Sequence, residues 1–135
     1  MDLDGRHRVR SLVARPAVYV HADDTLRRVA ETLSEEAIGA ALVRGPKGHA
    51  IGLVSERDIV RALADGASPS RTKASEIMAE ELLTVAPNDE LHDAIHAMLD
   101  AEVRHLPVVE GEVHFGMVSA RDALRALLQE IEEDA

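Results

Sequence analysis

Apolar and polar positions fall in short blocks along this chain, and the blocks recur in the same order. A four-residue apolar run, AVYV (17–20), precedes DDTLRRVAETLSEEA (23–37), and a second, LLTV (82–85), precedes NDELHDAIHAMLDAE (88–102). The runs read as strands and the longer segments as helices. Leu91, Ala94, Ile95, Met98 and Leu99 follow the i, i+3, i+4 spacing of an amphipathic helix. Asp24 and Asp89 are expected in the first turns, where carboxylates favour the helix dipole. Each helix leads to AALV or HLPVV, a tight turn (RGPKG or EGE), and a further strand, AIGLV or VHFGMV. Gly45, Gly48 and Gly111 are placed to let these strands pair as hairpins. A closing helix starts after Ser55 and after Ser119. The pattern predicts β-α-β-β-α twice.

The repetition extends to residue identity. At an offset of 65, Val20, Asp24, Leu26 and Val43 meet Val85, Asp89, Leu91 and Val108. The offset then drops to 64, and GLVSERDIVRAL (52–63) meets GMVSARDALRAL (116–127) with eight of twelve positions identical. A repeat this extensive defines the fold. We expect a mixed α/β (α+β) protein of two units, 1–65 with an N-terminal helical segment and 76–135, joined by a Gly-, Ser- and Pro-rich linker at 66–75. Each half is too small to bury both faces of its sheet, so the halves are expected to pack together.

Composition narrows the function. Twenty-five Asp and Glu against fifteen Lys and Arg give a formal charge of −10, the wrong sign for a duplex-binding surface. Tyr19 and Phe115 are the only aromatic residues, too few for a platform that stacks single-stranded bases. There is no Cys, which removes disulfides, thiol nucleophiles and zinc-thiolate sites. No stretch reaches the ~20 apolar residues that span a bilayer, and the N-terminal MDLDGRHRVRSLV does not read as a signal peptide. The expectation is a soluble, cytoplasmic protein with no nucleic-acid or membrane partner.

The repeated Ser-x-Arg-Asp phrase has two readings. Ser55 with Asp58, and Ser119 with Asp122, fit a capping box, which explains Ser and Asp but neither the Arg nor the preceding Gly. The same geometry also makes a nucleotide handle. Helix N–H groups and a Ser hydroxyl suit an anion, an Arg adds charge-assisted bonds to phosphate, and an Asp suits a ribose diol. Gly52 and Gly116 allow close approach of a ligand or of another backbone.

In GLVSERDIV, GMVSARDAL, VRHLPVVEGE and ASEIMAEELLTVAPNDEL the chain closely resembles a tandem pair of cystathionine-β-synthase (CBS) domains, the Bateman module. The resemblance implies a pseudo-two-fold pair of units with two clefts that commonly take adenosine-containing ligands: AMP, ADP, ATP, S-adenosylmethionine, sometimes NAD. By that resemblance, cleft A uses Ser55, Arg57, Asp58, Ala79, Thr84, Val103, Arg104 and His105. Cleft B uses Ser119, Arg121, Asp122, Ala14, Tyr19, Ile38 and Gly39. The clefts differ, because Arg104 and His105 form a basic pair that the matching IGAALV lacks. Val13 and Tyr19 stand where the family usually has Met and Thr, and a ring at Tyr19 either stacks on a base or blocks cleft B.

No Ser/His/Asp, paired-carboxylate or metal constellation points to catalysis. His92 and His96 have a metal-binding spacing but read better as a solvated helix face, and GPKG (45–48) lacks the spacing of a P-loop. The expectation is therefore a non-enzymatic sensor that needs no cofactor, takes an adenosine nucleotide as regulatory ligand, acts on a partner protein whose identity the sequence does not carry, and forms a homodimer. The alternative is a structural dimerisation or scaffold module with empty clefts.

Overall fold

The computed structural model describes residues 8–13 and 15–134. In chain order it contains a 3-10 turn (Val9–Leu12), β1 (Tyr19–His21), α1 (Leu26–Glu36), β2 (Ala40–Arg44), β3 (Ala50–Ser55), α2 (Glu56–Ala64), α3 (Ala74–Ile77), α4 (Leu91–Ala101), β4 (His105–Glu110), β5 (Val113–Ser119) and α5 (Ala120–Glu133). The mixed α+β class expected from the sequence is the one observed. Among the described residues, no helix is long and apolar enough to cross a membrane.

Packing divides the chain into two compact units, Val18–Leu82 (the first unit) and Met1–Ala17 with Leu83–Ala135 (the second). This division differs from that of the sequence repeat, because each repeat's leading segment packs in the other repeat's unit. Val9 N–H donates to Asp89 O (2.9 Å) and Arg10 N–H to Pro87 O (2.8 Å). At the matching positions Ala74 N–H donates to Asp24 O (2.8 Å) and Ser75 N–H to Ala22 O (3.0 Å).

In the first unit, β1 runs parallel to β2, which pairs antiparallel with β3. Val20, Val29, Ala41, Val43, Val54 and Ala74 form its core. The second unit's core gathers Val9, Ala94, Met98, Leu106, Val108 and Val118 against the β4–β5 hairpin. Gly48 and Gly111 adopt positive φ in the hairpin turns.

Four local expectations are corrected. LLTV does not form a strand. Only Val85 bridges to Val108, in parallel. In the first unit Leu42 N–H donates to Val18 O. The residue at the matching position is Pro107, which has no N–H to give. Asp24 and Asp89 lie before their helices, not in the first turns. Each carboxylate closes a tight turn instead, accepting from His21 N–H (2.9 Å) and Ala86 N–H (2.8 Å). Leu99 does not join the buried stripe of α4; it is 69% exposed, while Leu91, Ala94 and Met98 are buried. Residues 68–72 of the linker are not a loose connection. Thr72 O and Pro69 O accept from Leu26 and Arg27 N–H, the otherwise orphaned donors at the start of α1.

Candidate functional site: two repeated helix starts

Both closing helices open on complete capping boxes. Asp58 N–H donates to Ser55 Oγ at 3.3 Å, while Asp58 Oδ2 accepts from Ser55 N–H (2.8 Å) and Ser55 Oγ–H (3.0 Å). The second start repeats this: Asp122 N–H to Ser119 Oγ at 3.1 Å, with Asp122 Oδ2 accepting from Ser119 N–H (3.1 Å) and Oγ–H (2.8 Å). The capping explanation of Ser and Asp is thus realised in both copies. Every bond that either carboxylate accepts here goes to Oδ2. Among the described residues nothing donates to Oδ1 of either Asp, so each carboxylate keeps acceptor capacity after capping its helix.

The strand residues singled out by sequence meet these starts through the backbone. Helices α1 and α4 both end on a left-handed residue, Ala37 and Glu102, each with φ 56°. Ile38 N–H then donates to Leu33 O and Val103 N–H to Met98 O, both at 3.0 Å, closing the turns that feed β2 and β4. Glu56 N–H donates to Gly39 O (2.9 Å) and Ala120 N–H to Arg104 O (2.7 Å). The ladder pairs Ala40 with Ser55 and His105 with Ser119. Ile38 and Gly39 therefore lie beside the Ser55 start in the first unit, and Val103, Arg104 and His105 beside the Ser119 start in the second. Arg57, Arg121, Arg104 and Thr84 are exposed, as solvent-reaching groups should be.

The two cleft groupings draw on both units. For cleft A, Ser55, Arg57, Asp58 and Ala79 belong to the first unit, and Thr84, Val103, Arg104 and His105 to the second. For cleft B, Ser119, Arg121 and Asp122 belong to the second unit, and Tyr19, Ile38 and Gly39 to the first. Ala14 lies outside the described residues.

The glycines of the repeated phrase accommodate backbone. A Cβ on Gly52 would stand 2.8 Å from Ala79 O and 2.5 Å from Met78 Sδ. One on Gly116 would meet Val13 Cγ1 and lie 3.2 Å from Arg15 O. Ala79 exchanges two hydrogen bonds with Leu53, at 2.8 and 2.9 Å.

Two side chains gain contacts that the sequence reading did not give them. The Arg44 guanidinium carbon sits 3.9 Å from the centroid of the Tyr19 ring. Arg44 opens the RGPKG turn in sequence, and the signal for its contact is its place two residues beyond Leu42, the register partner of Tyr19. His92 Nε2 lies 2.9 Å from Glu130 Oε1, tying α4 to α5. Among the described residues, no group of three or more His, Cys, Asp or Glu side chains could hold a metal ion.

Comparison with known proteins agrees with this architecture. A family model for the CBS domain matches residues 9–65 and again 74–129. A mitochondrial CBS domain-containing protein of Arabidopsis thaliana is 34% identical over 122 residues, which cover 87% of this chain and 59% of that protein. The chain thus spans less than two thirds of that relative, and only 37% of a longer one from Thermofilum pendens at 35% identity. Among solved structures, a CBS-domain containing protein of Agrobacterium tumefaciens superposes with a TM-score of 0.86 at 26% identity, covering 94% of this chain and 98% of that one. A CBS domain protein from Pyrobaculum aerophilum, complexed with AMP, superposes with a TM-score of 0.82 at 31% identity, covering 93% and 98%. The chain belongs to the CBS domain family and carries two such domains in tandem.

Proposed function

We propose that this chain is a non-enzymatic cytoplasmic sensor that binds an adenosine-containing ligand, AMP, ADP, ATP or S-adenosylmethionine, in clefts formed by its two repeats, and thereby modulates a partner protein. The observation that carries this reading is the doubled Ser-x-Arg-Asp helix start in which the Asp retains an open Oδ1. Its relative from Pyrobaculum aerophilum, complexed with AMP, supports it. In this reading Asp58 and Asp122 take the ribose hydroxyls, and Ser55, Arg57, Ser119 and Arg121 take phosphate. Arg104 and His105 make cleft A the tighter site for charged nucleotides. Ala79, Thr84 and Val103 complete cleft A; Ala14, Tyr19, Ile38 and Gly39 complete cleft B. Ligand acts by favouring one arrangement of the protein over another.

The protein works as a homodimer. Helix α5 leaves Leu124, Leu128 and Ile131 exposed on one face, and α2 leaves Val60 and Leu63. Such an apolar stripe is suited to a symmetric contact with a second copy.

The completeness of both capping boxes favours a second reading, a scaffold with empty clefts in which Ser and Asp serve only the helices. Calorimetry with AMP separates the two. In the sensor, Asp58→Ala and Asp122→Ala each abolish binding at one cleft, and 2′-deoxy-AMP binds poorly to the parent. In the scaffold, neither AMP nor S-adenosylmethionine gives heat, and the same substitutions cost only a cap's worth of stability, ~1 kcal/mol.

A further inference from the structure

The Tyr19–Arg44 pair has no place in the capping framework. Tyr19 and His21 lie on one side of β1, and their ladder partners on β2 are Leu42 and Arg44. On its other side β2 pairs with β3, and that ladder shifts register between Val43 and Arg44; such a bulge re-aims the side chain beside it. The half-buried Arg44 lies with its guanidinium over the Tyr19 ring, and its Nε is buried with no hydrogen-bond partner. The Arg44 side chain makes no ion pair or hydrogen bond with any described residue. That is notable in a chain with twenty-five carboxylates and fifteen Lys and Arg.

An arginine that is merely structural would normally take a carboxylate or carbonyl with its guanidinium, and among the described residues Arg44 takes none. Stacking on an aromatic face fixes the guanidinium plane without using its N–H edge. We propose that Arg44, held over the Tyr19 ring, is an oxyanion-binding residue that takes a phosphoryl group by charge-assisted hydrogen bonds. His21, directly across the ladder, supplies a second nitrogen donor on the same side. The site rests on Arg44 itself and not on the adenosine reading. An inorganic phosphate and the phosphoryl group of a larger ligand present the same chemistry to it.

Inorganic phosphate is the probe. Tyr19 is the only tyrosine and there is no tryptophan, so intrinsic emission reports on this ring alone. Phosphate, compared with chloride at matched ionic strength, should shift the Arg44 Nε–Hε resonance and change the Tyr19 emission along one saturable curve. Arg44→Gln should weaken phosphate binding at least about tenfold, the loss expected for one charge-assisted bond. Tyr19→Leu keeps the charge but not the stack, and should weaken phosphate binding by a smaller factor. The resonance measurement needs no variant, so a folding defect in either substitution leaves the test intact. Absence of a saturable shift in the parent protein would overturn the proposal, as would an unchanged phosphate response in a folded Arg44→Gln. Adenosine is the control. If it moves the Arg44 resonance as far as phosphate does, the anion assignment fails while the adenosine reading survives.

Discussion

The two helix starts are built alike and furnished differently. Each has the same Ser–Asp capping box, the same left-handed turn feeding the neighbouring strand, and the same glycine pressed against an exchanged segment. The flanks diverge. Where the first unit has Ile38, Gly39 and Ala40, the second has Val103, Arg104 and His105. Where the first has Leu42 and a three-stranded sheet, the second has Pro107 and a two-stranded hairpin. The repeat therefore holds the caps, turns and glycine contacts, while the variation falls on the strand entries beside the helix starts and, at the buried Leu42 and Pro107, on the strand pairing itself. A cap or a glycine contact admits few residue types, whereas a strand entry beside a helix start admits glycine and arginine alike.

The flank difference sets the largest expected effect. In the proposed reading Arg104 supplies a charge-assisted bond to phosphate, worth about 1.5–3 kcal/mol. Arg104→Ala should weaken AMP binding by roughly ten- to a hundredfold at 1.4 kcal/mol per decade. Calorimetry on Arg104→Ala and Arg121→Ala then ranks the clefts. If Arg121→Ala loses more affinity for AMP, the phosphate-selective cleft is the one at Ser119 and the ranking is reversed.

A second comparison concerns the two glycines. A methyl group at Gly52 faces the Ala79 carbonyl at 2.8 Å, and relieving it pulls on the paired Leu53–Ala79 hydrogen bonds. At Gly116 the backbone neighbour, Arg15 O, stands farther off at 3.2 Å, though Val13 Cγ1 crowds the site. Overpacking of this kind costs about 1–3 kcal/mol. Gly52→Ala should fall at the upper end and Gly116→Ala below it, measured by urea denaturation. Equal costs would show that side-chain crowding, not the carbonyl, decides.

These cases also mark how far the sequence could be read. The β-α-β-β-α order of the first half, the α-β-β-α order of the second, the hairpin turns and both capping boxes follow from local rules. The glycine contacts were half legible: a strand glycine signals close approach, but what approaches is a segment from the other repeat. The short pairing at Val85 was written in Pro107, twenty-two residues away, and only the parallel register makes it readable. The Arg44–Tyr19 contact depends on the parallel pairing of β1 with β2, which no periodicity in RGPKG reveals. The same holds for His92 on Glu130, a contact between helices thirty-eight residues apart.

The smallest expected effect comes from the left-handed residues that end α1 and α4. Ala37 and Glu102 both carry φ 56°, a conformation costing an L-residue roughly 1–2 kcal/mol. Glycine removes that cost but brings back about 0.5–1 kcal/mol of backbone entropy. Ala37→Gly should therefore stabilise the protein by a few tenths of a kcal/mol to about 1 kcal/mol. Glu102→Gly should do at least as well. It also removes a negative charge from a helix C-terminus, where the dipole opposes it by about 0.3–1 kcal/mol at low salt. The two substitutions differ in their dependence on ionic strength. The charge term at Glu102 is screened by added salt, while the conformational term at both sites is not. Urea midpoints at low and high salt should show Glu102→Gly ahead of Ala37→Gly at low salt, and the two converging as salt rises. A destabilised Ala37→Gly at both salts would mean that glycine's entropy outweighs the left-handed penalty at this turn.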